Sequence, residues 1–80
     1  MDPAVKRFGE NVRAARHAKG WTQERLSQET GLATVQVSRI ERGVREVRLT
    51  TLLRLQKALE VPFANLLGGT GSPPYEHSGA

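Results

Sequence analysis

The chain has no cysteine among its 80 residues, so neither a disulfide framework nor a thiolate metal site is open to it. Its two histidines, His17 and His77, stand far apart, with no ligand spacing around either. Catalysis needs a nucleophile with a base, a metal cluster or paired acids in a pocket. No such pattern is present, an enzyme is not expected, and no cofactor or metal is called for. Gly68, Gly69 and Gly71 follow no strand and open no helix, so they do not form a phosphate-cradling loop. Long apolar runs are missing too: none approaches the ~20 residues that cross a bilayer, and the amino terminus carries no signal-peptide pattern. The expectation is a soluble, cytoplasmic protein with no membrane partner and no evident small-molecule ligand. A chain this short makes one domain with a small core, which leans on good helix packing or on a partner subunit.

What the chain does have is helical rhythm and positive charge. Lys and Arg number 12 against 8 acids, a net charge of +4. The distribution matters more than the total. Arg39, Arg42, Arg45 and Arg48 recur at every third residue, opposed in that window only by Glu41 and Glu46. Such a patch suits a polyanion and makes binding salt-dependent. A membrane-surface role would instead require one long helix with Trp, Phe or Leu opposite the cations.

Residues 22–43, TQERLSQETGLATVQVSRIERG, read as two short amphipathic helices around a turn at Gly31. The Thr22 hydroxyl can cap the first, Glu24 suits the positive end of its dipole, and Gly31 supplies the left-handed turn. In the second, Ala33, Val37, Ile40 and Glu41 cluster on one side at about 100° per residue. Val35, Ser38, Arg39 and Arg42 take the opposite side, with Gln36 at its edge and Thr34 near the amino-terminal tip. Two helices joined by a short turn containing Gly are the helix-turn-helix pattern. Charge alone would fit any solvated helix face. The turn, the spacing and the basic loop that follows are what point to base edges and phosphates of a major groove.

The remaining elements follow the same periodicity. Asp2-Pro3 starts a first helix over residues 3–19, with Val5, Phe8, Val12 and Ala15 inward. Phe8 and Trp21 read as core anchors, and His17 as a solvated side chain. Helix 2 spans residues 23–30 with Leu26 inward, a loop covers 44–48, and helix 4 spans 49–59 with Leu49, Leu52, Leu53 and Leu59 inward. Gln56 falls within that apolar face and needs a backbone or partner contact. Pro62 opens a last helix over 62–67 carrying Phe63, Leu66 and Leu67. Arg16 and Glu41 sit at the edges of two apolar faces, and half-buried opposite charges attract, so an Arg16–Glu41 ion pair between helices 1 and 3 is expected. Beyond Leu67 the sequence GGTGSPPYEHSGA has little to bury. The domain is therefore set at 1–67 and a flexible carboxy-terminal tail at 68–80, with Tyr75 and His77 unstructured.

GLATVQVSRIERG resembles the Gly-small-x-x-x-apolar-Ser-x-apolar-Glu-x-Gly pattern of the Cro/phage-repressor (Xre) helix-turn-helix family. The preceding WTQERLSQETG and the later LTTLLRLQKALEVPFANLL extend the resemblance without a gap, from about Phe8 to Leu67. It implies an all-α fold: a compact five-helix, lambda-repressor-like DNA-binding domain that binds operator DNA, usually as a dimer. It also implies the same Arg16–Glu41 pairing. By the family's docking geometry Thr34, Val35 and Arg39 would meet base edges, with Gln36 and Ser38 nearby. Thr22, Gln23, Arg42, Arg45 and Arg48 would hold phosphates.

The chain departs from the family at several positions. Ala33 replaces the usual capping Ser or Thr, at a cost of about 1 kcal/mol unless Thr34 takes over. Ser27 replaces Ala, a small-for-small change of little expected consequence, and Val47 and Gln56 replace the usual Pro and Ala. The candidate dimer surface is Val61, Phe63, Leu66 and Leu67 with Leu55 on the flank of helix 4, unless these residues close the monomer's own core. The function expected is a sequence-specific transcriptional regulator of double-stranded DNA, a repressor or autoregulatory controller acting as a homodimer on an inverted-repeat operator. The competing class is an antitoxin-like or co-activator module that binds DNA only with a protein partner.

Overall fold

The structure is a computed structural model and describes residues 2–71; Tyr75 and His77 lie outside the described residues. It is all-α: five helices and no strand among those residues. Helix α1 runs Pro3–Ala18, α2 Gln23–Thr30, α3 Thr34–Arg42, α4 Leu49–Leu59 and α5 Phe63–Leu67. No helix among them is long and apolar enough to cross a membrane.

The helix ends follow from local chemistry. Asp2 Oδ1 accepts from the Ala4 amide at 2.7 Å, and Pro3 occupies the first helical position, where a missing N–H costs nothing. Thr22 Oγ1 accepts from the Arg25 amide at 3.0 Å to start α2, and Gly31 ends that helix at φ +77°. Helix α3 has no side-chain cap: Ala33 occupies the N-cap, and Thr34, one residue inside, does not replace the lost bond. Helix α4 ends on Glu60 at φ 55°, a left-handed position usually given to glycine.

One core collects a side of every helix. Val12, Leu26, Val37, Leu55 and Leu66 are fully buried, with Leu59, Ile40, Phe8 and Leu32 nearly so. Trp21 is half-buried at the core's rim rather than inside it. Lys19 and Arg25 lie 4.8 and 4.9 Å from its ring centroid.

Helix α4 corrects the expected facing. Leu49 and Leu53 point outward, 68% and 46% exposed, while Thr51, Leu55 and Leu59 point inward. A leucine-rich helix offers more than one apolar face, and the contact with α2 and α1 selects which one is buried. Leu55 and Leu66, expected at a dimer surface, are core residues with no exposed area. Gln56 stays half-buried because its Nε2 donates to the Val61 carbonyl at 2.9 Å, linking α4 to the turn before α5.

Two glycines let α1 approach the carboxy-terminal end of α3. A Cβ on Gly9 would overlap the Ile40 carbonyl oxygen and lie 2.8 Å from that of Glu41. A Cβ on Gly43 would come within 2.5 Å of Lys6 Cα, and Gly43 also has φ +68°, so it closes α3 where no other residue fits. Also on α1, Asn11 Nδ2 donates to the carbonyls of Leu66 (2.8 Å) and Gly68 (2.9 Å). Those are orphan acceptors at the end of α5.

Candidate nucleic-acid interface

Helix α3 presents one face to solvent because the opposite face is anchored at several points. Val37, Ile40 and Glu41 are buried. Arg16 from α1 grips Glu41 with two bonds, Nε to Oε2 at 2.7 Å and Nη2 to Oε1 at 2.9 Å. Its Nη1 donates to the Trp21 carbonyl at 2.7 Å. Both side chains are almost entirely shielded from water, so the pair is neutralised within the fold. The hydrogen bonds that Arg16 donates to Glu41 raise its pKa above its ordinary value, against the opposing effect of burial.

Gln23 joins the same carboxylate, its Nε2 donating to Glu41 Oε1 at 3.1 Å. The sequence suggested this side chain for a phosphate, yet in the free protein one of its amide hydrogens is already engaged. Nothing local announces that bond, because Glu41 lies on another helix. Ser27 was also underrated. Its Oγ donates to the Leu32 carbonyl, so the substitution for Ala ties α2 to the turn that launches α3. Thr30 Oγ1 completes that turn, donating to the Leu26 carbonyl at 2.7 Å and accepting from the Leu32 amide at 3.2 Å. The signal available in sequence was the Ser27–Thr30 pair of short hydroxyls beside Gly31, since such side chains bond nearby backbone.

On the open face, Val35 is 54% exposed, and Gln36, Arg39 and Arg42 are exposed with it. Thr34 and Ser38 are half-buried at the margins of this face. The loop after α3 brings Arg45 and Arg48 alongside. Val35, Gln36, Arg39, Glu46, Arg45 and Arg48 all line one cleft of about 380 Å³ between α3, the loop and the start of α4. None of Arg39, Arg42, Arg45 and Arg48 forms an ion pair among the described residues. All four are exposed to solvent. Thr22 is exposed at the start of α2, although its hydroxyl oxygen already accepts the capping bond.

A short helix, a tight turn, a second helix with an open polar face and a flanking set of free guanidiniums define a helix-turn-helix DNA-binding domain. A helix-turn-helix family model matches residues 12–66. The chain belongs to this family, in its Xre-type branch, and is a DNA-binding transcriptional regulator rather than an enzyme.

The relatives fit that class. The chain is 34% identical over 68 residues to the HTH-type transcriptional repressor RghR of Bacillus subtilis, covering 84% of this chain and 50% of that protein. It is 39% identical over 64 residues to the control protein C.SmaI of Serratia marcescens, covering 80% of this chain and 76% of the relative. Among solved structures, the restriction-modification controller protein C.AhdI from Aeromonas hydrophila superposes with a TM-score of 0.74 at 39% identity, over 78% of this chain and 94% of that one. The chain thus spans half the length of one relative and most of the other two.

Proposed function

We propose that the protein regulates transcription as a homodimer on an inverted-repeat operator, in the manner of a repressor or an autoregulatory controller. The observation that carries this reading is the solvent-facing side of α3, where Val35, Gln36 and Arg39 stand with Arg42, Arg45 and Arg48, which form no ion pair among the described residues. The Arg39 fork matches the two acceptors of a guanine edge, and Val35 suits a thymine methyl. Thr34 and Ser38 sit at the edges of that contact. Thr22, Gln23, Arg42, Arg45 and Arg48 hold phosphates and set the register without reading sequence. Gln23 does so with its remaining amide hydrogen while Glu41 holds the other.

One domain of this size reaches few base pairs, and two-fold symmetry doubles the reading. The free apolar surface needed for a dimer is offered by Leu49 and Leu53 on α4 and by Phe63 and Leu67 on α5. Val61 is half-buried beside them. These residues replace the buried Leu55 and Leu66 in the interface. The DNA-binding domain is set at 1–67, and the protein works in the cytoplasm. Likeness to two proteins named as controllers supports the autoregulatory form.

Selection of bound duplexes from a random DNA pool, with the purified protein alone, tests this reading. An enriched sequence with two-fold symmetry is the expected result, together with a dimer in sedimentation at micromolar concentration. A pool that enriches nothing without a second protein would overturn it in favour of the antitoxin-like alternative.

A further inference from the structure

We propose that Glu46 is a specificity-determining residue. Its carboxylate opposes docking on phosphates alone and finds a partner only where the operator offers a base amino group beside Arg39. This inference rests on the operator-binding reading above.

Glu46 is exposed in the loop between Arg45 and Arg48 and lines the same cleft as Arg39. Although arginines precede and follow it, it forms no ion pair among the described residues. An acid left unneutralised within a surface built to meet DNA needs a physical account. Non-specific affinity comes almost wholly from cations neutralising phosphates. A free carboxylate among those cations subtracts from that affinity wherever the protein lands.

At an operator the contact is different. When Arg39 takes the O6 and N7 acceptors of a guanine, the paired cytosine presents its N4 amino group in the same groove. A carboxylate is the natural acceptor for that hydrogen. Glu46 and Arg39 line one cleft, so together they offer the acceptor and the donor that a single G·C pair calls for. The repulsion then persists on random DNA and is offset at the operator, which widens the ratio between the two.

The test compares Glu46→Ala and Glu46→Gln with the wild-type protein on the selected operator and on random duplex of equal length. Glu46→Ala is expected to bind random DNA about two- to fivefold more tightly. The same variant should bind the operator about tenfold more weakly and relax the preference at a single G·C pair. Glu46→Gln, which keeps an acceptor but loses the charge, should share the gain on random DNA with a smaller loss on the operator. Equal fold-changes on both DNAs, or an unchanged preference at every base pair, would overturn the inference. A wild-type protein that shows no operator preference would instead overturn the operator reading itself, before any variant is made. Because Glu46 is an exposed loop residue, both variants should melt with the wild-type protein.

Discussion

Removing one partner of the Arg16–Glu41 pair should bring the domain to the edge of unfolding, whereas removing both should not. A domain of 80 residues has a total stability of about 4–12 kcal/mol. Glu41→Ala strips the guanidinium of two hydrogen bonds, at 2.7 and 2.9 Å, and leaves a charge that is 7% exposed with only the Trp21 carbonyl to answer it. Arg16→Ala leaves a Glu41 carboxylate, equally shielded, with only the Gln23 amide at 3.1 Å. Each single change is expected to cost about 3–5 kcal/mol, because an uncompensated charge stays buried. The double variant Arg16→Met with Glu41→Leu replaces charge by apolar volume and should fall within about 1–2 kcal/mol of wild type. Urea unfolding at one fixed protein concentration reads all four proteins. The single tryptophan, Trp21, whose carbonyl is bonded to Arg16, gives an independent fluorescence probe beside circular dichroism. Additive losses, or single variants within about 1 kcal/mol of wild type, would refute the reasoning, since the singles should be strongly non-additive.

Three further outcomes follow from the same geometry. Arg39→Ala should lose about 1–3 kcal/mol of discrimination at one base pair, whereas Arg45→Ala should weaken all sequences alike and flatten the salt slope by about one unit; binding titrations at several salt concentrations separate the two, and equal losses on operator and random DNA in both variants would remove the division of roles. Gly9→Ala should destabilise the domain by about 2 kcal/mol or more despite alanine's better helix propensity, because the added methyl group meets the backbone carbonyls of Ile40 and Glu41; a melt at or above the wild-type temperature would contradict that packing. Glu60→Gly should stabilise by about 0.5–1 kcal/mol in thermal unfolding, since relief of a left-handed backbone at φ 55° outweighs an exposed contact to Lys19 at 3.3 Å.

The sequence was most legible where structure is decided locally. Thr22, through its capping hydroxyl, and Gly31 and Gly43, through their left-handed backbone, mark helix ends by their own chemistry, and α2 and α3 begin and stop where those residues are placed. Helix α4 shows the opposite case. Leu49, Leu52, Leu53, Leu55 and Leu59 are compatible with more than one buried face, and only contact with the other helices makes Leu55 core and Leu49 surface. Leu66 was misjudged for the same reason, because a five-residue helix has too little periodicity to show its inner side. The bonds of Gln23 to Glu41 and of Ser27 to Leu32 were not legible, because these partners are set by how α2 meets α3 and the turn before it. Gly9 drew no reading from the sequence, because the carbonyls it makes room for belong to α3.

These tertiary contacts bear directly on how α3 meets DNA. Its carboxy-terminal half is pressed on α1 at Gly9 and Gly43 and clamped by Arg16 through Glu41. Its amino-terminal approach is held by Ser27 and Thr30, although no side chain caps the helix itself. A helix fixed at both ends, with exposed Val35, Gln36 and Arg39 between, is already oriented before any ligand arrives. Binding then needs little backbone rearrangement, and the ordering cost falls on the exposed arginine side chains and the loop that carries three of the free charges. The apo and DNA-bound domains should accordingly superpose closely over α1–α3, with differences confined to the side chains of Arg39, Arg42, Arg45, Glu46 and Arg48. A shift of α3 relative to α1 on binding would mean that the buried ion pair is part of a switch and not a clamp.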